Sequence, residues 1–205
     1  MKYDSKVHWE DVWTRKKSNE VSWYQKEPQT SLDLILSTNP SKDVHIIDVG
    51  GGDSILVDKL LELDFKNITV LDISANALKK AKERLGQKAD RINWIESDIM
   101  EFDSEERYDI WHDRALLHFL TSEKDILNYR ELIKKHVKGG GHLIISCFST
   151  KGPKMCSGLD TVQYSEESIK KIFSEEFEHI KSFEEEHMTP RQTSQIFIYN
   201  IFRKK

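Results

Sequence analysis

Five apolar runs recur before residue 149, separated by segments whose apolar positions fall at helical spacing. Residues 44–49, "VHIIDV", break into Gly50, Gly51 and Gly52. "ILVDKLLEL" then places Leu56, Leu60 and Leu63 on one face of a predicted helix. "NITVLDIS" repeats the strand pattern. Ser74 caps a helix, "ANALKKAKERLG", in which Ala75, Leu78, Ala81 and Leu85 share a face and Gly86 is the stop. "RINWIESDIMEF" gives a third strand ending near residues 96–98. The fourth is residues 108–111, and the fifth is "HLIISCF". Between these two, Ser122 and Asp125 form a capping-box pattern. The helix that follows carries Ile126, Tyr129, Ile133 and Val137 on one face and is predicted to stop at Gly139, Gly140 and Gly141.

Strand and helix alternating at this rhythm predict a parallel sheet joined by right-handed crossovers. Burial on both faces explains strands that are continuously apolar rather than alternating. The end of the chain differs. A short helix capped by Ser165, with Glu166 and Glu167 in its first turn, precedes two strand-like runs joined at Thr189-Pro190. That connection is too short for a crossover, so the pair is predicted to be an antiparallel hairpin. Its second run, "IFIYNIF", is apolar on both faces and belongs inside the sheet. The expected fold is α/β: a doubly wound, mostly parallel seven-stranded sheet with an antiparallel C-terminal hairpin. One domain, 1–205, is expected. It comprises an N-terminal segment (1–40), a core (44–148), a long connection (149–164), and the terminal helix and hairpin (165–205).

Composition narrows the function classes. Across 205 residues, 31 Lys and Arg face 35 Asp and Glu, a net charge of -4, so no strongly basic face for nucleic acid is indicated. Cys147 and Cys156 form no CxxC pair, which argues against a disulfide framework or structural zinc. "MKYDSKVHWEDVW" lacks the apolar core of a signal peptide, and no run approaches a membrane span. A cytoplasmic protein is expected, with no membrane partner.

The glycine run follows a buried strand and opens a helix, so its backbone can approach an anionic or polar ligand closely. A tight structural turn would use the same glycines. Asp72 closes the next strand 24 positions after Asp48, where a doubly wound sheet presents a carboxylate to ribose hydroxyls. Asp98 and Ile99 end the third strand and could flank an adenine, although an acid there is also a common helix cap.

"YDIWHDRALLHFL" drives His112, Asp113 and Arg114 into the end of the fourth strand. Ligands in such sheets bind outside the carboxyl ends of the strands, so these three are expected at the mouth rather than in the core. His118 would face the same way as Arg114 if a helix begins there. A structural Asp113–Arg114 ion pair and a core histidine at 118 are the alternatives. Residues 149–164, with Gly152, Pro153 and Gly158 and no helical period, are expected to form a lid on that face. The hairpin turn would bring His187 and Thr189 near. These histidines and Cys156 match no metal-ligand spacing, so no metal is expected.

"IIDVGGGDS", "VLDIS", "IESDIMEF", "YDIWHDRALLHFL" and "VKGGGHLIISCF" together resemble the ordered motifs of class I S-adenosylmethionine-dependent methyltransferases. The likeness covers about residues 44–148 and extends to the terminal hairpin; it is nearest to small stand-alone bacterial members. Ser54 departs from the glycine usual at the third small position of the loop. The resemblance implies S-adenosylmethionine as cofactor, its methionine part against Gly50 and Gly52. Asp72 would take the ribose hydroxyls, Ile73 would pack on adenine, and Asp98 with Ile99 would hold the far side. Asp48 and His112 complete the expected contact set. Trp13, Trp23 and Tyr24 would cover the cofactor, since aromatic faces tolerate a sulfonium and Tyr24 could donate to its carboxylate; simple packing onto the sheet is the alternative. The implied activity is in-line methyl transfer to a small-molecule acceptor, with His118 or Asp113 taking a proton and Arg114 orienting an anionic substrate. Other classes stay open: a protein lysine methyltransferase with Glu184, Glu185 and Glu186 as an acidic rim, a non-catalytic cofactor-binding protein, and a nicotinamide-dependent dehydrogenase. The last would need a Tyr-x-x-x-Lys pair that "NYREL" does not supply.

Overall fold

Every apolar run before residue 149 becomes a strand of one sheet. A computed structural model describes residues 4–205. Its strands β1 (His45–Val49), β2 (Asn67–Asp72), β3 (Ile92–Glu96), β4 (Tyr108–Arg114) and β5 (Val137–Phe148) pair in parallel in the order β3-β2-β1-β4-β5. Past β5, a two-stranded ribbon of β6 (Met155–Cys156) and β7 (Leu159–Asp160) precedes the terminal hairpin, β8 (Phe177–Met188) and β9 (Ser194–Lys204). β9 inserts antiparallel between β5 and β8, completing seven strands as its two-sided apolar pattern requires. The strand order reverses between β1 and β4, and that switch point opens a crevice at their carboxyl ends.

Among the described residues, six α-helices flank the sheet: α1 (Ser5–Arg15), α2 (Gln29–Ser37), α3 (Leu56–Glu62), α4 (Ala75–Leu85), α5 (Glu123–His136) and α6 (Glu166–Phe173). Adjacent residues of β1 serve opposite faces. Ile46 joins a core with Leu60, Val70 and Ile144, while Ile47 joins one with Trp111, Tyr129, Ile133 and Phe173. Ser74, Ser122 and Ser165 cap α4, α5 and α6 by accepting from the N–H groups of Ala77, Asp125 and Ser168. Among the described residues, no helix is long and apolar enough to cross a membrane, and both cysteines are free.

Three local expectations are corrected. The glycine run at 139–141 does not stop α5, which ends at His136; it lies inside β5. Pairing jumps from Tyr108↔Val137 to Ile110↔His142, leaving residues 138–141 opposite Asp109 alone, a bulge. A side chain at Gly141 would meet the carbonyls of Asp109 and Lys138 at 2.9 Å, so only glycine fits there. Second, β4 runs three residues past Trp111, because His112, Asp113 and Arg114 remain in register with Ile144, Ile145 and Ser146. Third, residues 149–164 are not irregular throughout but hold a two-stranded ribbon. The β6–β7 ribbon is tied down by Thr161 N–H to Lys154 O and Val162 N–H to His118 O, and Tyr164 pairs with Ser149.

Candidate active site

Two cavities meet at the switch point. The larger, about 350 Å³, is lined by Trp9, Trp13, Trp23, Gly50, Asp72, Ile73, Asp98, Ile99, Arg114, Leu116, Phe119 and Leu159, among others. The smaller, about 60 Å³, is lined by Tyr24, Ser31, Asp48, Gly51 and His112 and shares Trp13, Trp23, Gly50 and Arg114 with the first.

The glycine loop forms the wall between strand and ligand space. A Cβ at Gly51 would fall 2.7 Å from Asp48 Oδ2 and 2.9 Å from Val70, so the backbone there runs closer than any side chain permits. Gly52 has φ +48° and lies between Asp72 and Trp13 without lining either cavity. At the end of β2, Asp72 Oδ1 accepts from Ser74 N–H at 2.8 Å. Burial pushes its carboxyl up to about 7; the Ser74 bond opposes the rise, and the charges of Asp48 and Glu10 add to it. Asp98 Oδ1 accepts from Met100 N–H and sets the turn that carries Ile99.

Asp48 and His112 face each other across β1 and β4. The carboxylate accepts from His112 Nδ1–H at 2.6 Å, which leaves Nε2 to accept from Ser31 Oγ–H at 2.9 Å. Asp48 Oδ2 is buried without a partner. Ser31 lies on α2, so this chain of bonds also anchors the segment ahead of the sheet.

The expected catalytic trio separates. Arg114 lines both cavities. Its Nε donates to Tyr199 Oη and its Nη1 to Trp23 O, both at 3.0 Å, while the guanidinium lies 4.7 Å from the centre of the Phe197 ring. Asp113 alternates to the other face of β4 and is wholly buried, so it is a core residue and not a mouth residue. One oxygen accepts from Leu116 N–H at 3.0 Å, the other from Tyr129 Oη–H at 2.8 Å, and Asp113 lines neither cavity. Burial pushes its carboxyl up to about 7 against those two bonds. No Asp113–Arg114 bond forms in their place.

Beyond Arg114 the chain leaves the strand through Ala115, whose φ of 75° is unusual for a residue with a Cβ. That turn swings Leu116 over Gly50. It leads into a short 3₁₀ turn, Leu117–Phe119, instead of the expected helix. His118 is buried there with its ring stacked on Phe148 at 4.0 Å, and its Nδ1 accepts from Phe148 N–H at 3.3 Å. Burial, helped by the charge of Arg114, lowers its pKa to about 3. It reaches neither cavity and is a core histidine. His187 also stays out of both, donating from Nε2 to Ser22 O, and Thr189 bonds to Thr193.

The N-terminal segment is held down by contacts the sequence patterns did not indicate. Glu10 on α1 accepts from Ala75 N–H at 2.7 Å and from Ser74 Oγ–H at 3.0 Å, capping α4 from outside. Trp9, Trp23 and Phe119 meet edge to face, with centroids 5.8 and 5.1 Å apart, and form an aromatic side of the larger cavity.

A family model described as a methyltransferase domain matches residues 40–201. The chain belongs to the class I S-adenosylmethionine-dependent methyltransferases. It is 28% identical over 129 residues to malonyl-[acyl-carrier protein] O-methyltransferase 2 of Ilyobacter polytropus, covering 62% of this chain and 45% of that one. It is 27% identical over 128 residues to the ubiquinone biosynthesis O-methyltransferase of Rickettsia conorii, covering 62% and 43%. The chain thus spans less than half the length of these two relatives. The N-methyltransferase NodS of Bradyrhizobium japonicum, solved with S-adenosylhomocysteine, superposes with a TM-score of 0.73 at 18% identity over 98% of this chain and 99% of that one.

S-adenosylmethionine is the cofactor of this methyltransferase family, and the residues of this chain fit it. Gly51 leaves a strip of bare backbone, Asp72 stands at the end of β2, and the orphaned Asp48 Oδ2 awaits a donor such as an ammonium. Of the residues expected from sequence to touch a cofactor, all but Gly52 line one cavity or both. Ser31, Glu10, Leu116 and Phe119 were missed. Ser31 and Glu10 act across long sequence separations, and the two apolar residues read as ordinary core positions.

Proposed function

We propose that this protein transfers the methyl group of S-adenosylmethionine to a small-molecule acceptor, working as one cytoplasmic methyltransferase domain over residues 1–205. The observation that carries this is the larger cavity: Asp72 and the glycine loop form one side, an aromatic cover the other, and Arg114 stands between. Asp72 takes the ribose hydroxyls, Ile73 and Ile99 sandwich the adenine, and Asp98 holds its edge. Asp48 Oδ2 takes the ammonium, with His112 and Ser31 behind it, and Tyr24 donates to the carboxylate. Gly50 and Gly52 shape the loop beneath, and Trp13 and Trp23 close over it.

When bound, the cofactor supplies an electrophilic methyl group on a sulfonium, a good leaving group. What the chain must add is alignment and exclusion of water, which together lower the barrier by several kcal/mol. Trp9, Trp23 and Phe119 exclude water, while Arg114, fixed by Tyr199 and Trp23, orients the acceptor. Asp113 holds β4 to α5 through Tyr129, and His118 packs under Phe148, so neither is assigned a proton.

Family membership sets the dehydrogenase alternative aside. A lysine-peptide acceptor is disfavoured because the proposed acidic rim is already engaged: Glu184 pairs with Lys151, Glu185 accepts from Thr30, and Glu186 accepts from Ser194. The test is transfer of label from methyl-labelled cofactor in a metabolite extract and in a protein lysate. Label in small products supports the proposal. Label confined to a protein band would replace it with the protein methyltransferase, and binding of cofactor without transfer to any acceptor would replace it with a non-catalytic role.

A further inference from the structure

Resting on the function proposed above, we infer that the methyl acceptor is an acid used as its anion: a small, flat, apolar molecule whose thiolate, phenolate or carboxylate meets Nη2 of Arg114. The guanidinium is fixed on three sides, by Tyr199 Oη, Trp23 O and the Phe197 ring, yet Nη2 is buried and bonded to nothing. A desolvated cationic N–H without an acceptor is costly, and an anion relieves that cost far better than a neutral group. Among the described residues, Arg114 is the only lysine or arginine lining either cavity. An ammonium acceptor would have to approach it against like charge.

The carboxylates that share these cavities are placed elsewhere. Asp72 and Asp98 stand at the ends of β2 and β3, on the far side of β1 from Arg114 in the sheet order. Asp48 gives one oxygen to His112 and, as proposed above, the other to the cofactor's ammonium; Asp53 is engaged by Arg84 and Ser18, and Asp125 by the Ser122 hydroxyl. The larger cavity, which Arg114 lines, counts Trp9, Trp23, Phe119 and Leu159 among its walls, and these suit a flat apolar body.

The second observation is the missing base. His118 and Asp113, the two groups expected from sequence to take a proton, both lie outside the cavities, and His112, which lines the smaller one, has both ring nitrogens engaged, by Asp48 and Ser31. An acceptor that arrives as an anion needs none. Its lone pair forms the new bond to the methyl carbon as the carbon–sulfur bond breaks toward sulfur. The anionic and cationic charges at the reacting atoms cancel, and no proton moves.

The test uses the full-length protein saturated with S-adenosylhomocysteine, so that no turnover occurs. Benzoate, benzylamine and benzamide are titrated in, with tryptophan fluorescence and calorimetry as readouts, because Trp9 and Trp23 line the wall. Benzoate binding about tenfold or more tighter than benzylamine is expected, and with it methyl transfer to thiophenol or benzoate but not to benzylamine. Equal binding, amine preference or no benzoate binding would overturn the inference. Arg114→Gln should abolish the anion preference and leave affinity for S-adenosylhomocysteine unchanged. If it instead weakens that ligand but not 5′-methylthioadenosine, which lacks the carboxylate, Arg114 serves the cofactor and the inference is wrong. Failure of S-adenosylhomocysteine to bind the unaltered protein would refute the cofactor assignment itself, a separate and recognisable result.

Discussion

His112 Nδ1 lies 2.6 Å from Asp48 Oδ1, across positions that pair directly in the β4–β1 ladder, and Ser31 Oγ closes the far side of the ring at 2.9 Å. The three copy the order of a hydrolase triad. Ser31 is nevertheless buried inside α2, and the free oxygen belongs to the acid, so the group is built to aim Asp48. Ser31→Ala and His112→Gln should each weaken S-adenosylhomocysteine by about tenfold, the worth of one charge-assisted hydrogen bond. Calorimetry checks this; unchanged affinity in both variants would mean that the β1 backbone alone orients Asp48.

Affinity should also depend on pH through Asp72. Its carboxyl, raised to about 7 by burial, is largely protonated below neutrality, whereas two ribose hydroxyls donate best to the ionised form. Binding therefore strengthens as pH rises through about 7, levels off above it, and releases a proton near neutrality. Titrations in buffers of different ionisation heat would show the release. Asp72→Asn should bind more weakly with a flat profile across the same range.

His118→Asn keeps an acceptor for Phe148 N–H but cannot act as a base. Turnover should stay within about threefold of the parent, with a modest stability loss of about 1 kcal/mol for the altered packing. A collapse of kcat in a folded variant would return His118 to the reaction.

Asp113 makes a prediction about stability. Its folded-state pKa, about 7, exceeds the ordinary value of 3.8. The folded protein thus binds more protons than the unfolded chain between those values, and this group's contribution is lost as pH rises through about 7. Asp113→Asn removes that loss. Relative to the parent, the variant should gain stability as pH rises from about 4 to about 7 and hold that gain above it, in denaturant titrations; a constant difference would show that the buried carboxyl titrates normally.

How far the sequence carried these conclusions depended on the range of the interactions. The strands, the caps at Ser74, Ser122 and Ser165, and the antiparallel hairpin were legible because apolar period and capping chemistry are local. So were Asp72, Ile73 and Ile99, whose places follow from strand ends. The glycine run at 139–141 misled because glycine serves a helix stop and a strand bulge equally well. Asp113 and His118 misled for a different reason. Polar residues at a strand end resemble a ligand mouth, and only the partners Tyr129, Leu116 and Phe148 reveal that they belong to the core. Ser31 and Glu10 left no local pattern, since their partners lie 81 and about 65 residues away.

The proposed function depends on the cavity lined by Gly50 and Asp72 binding the sulfonium cofactor. Calorimetric titration of the protein and of Asp72→Ala with S-adenosylmethionine and S-adenosylhomocysteine, with a reduced nicotinamide as control, tests it most directly. Micromolar binding of the first two, lost in the variant and absent for the nicotinamide, is the predicted result. No binding of either, or equal binding by the variant, would contradict it.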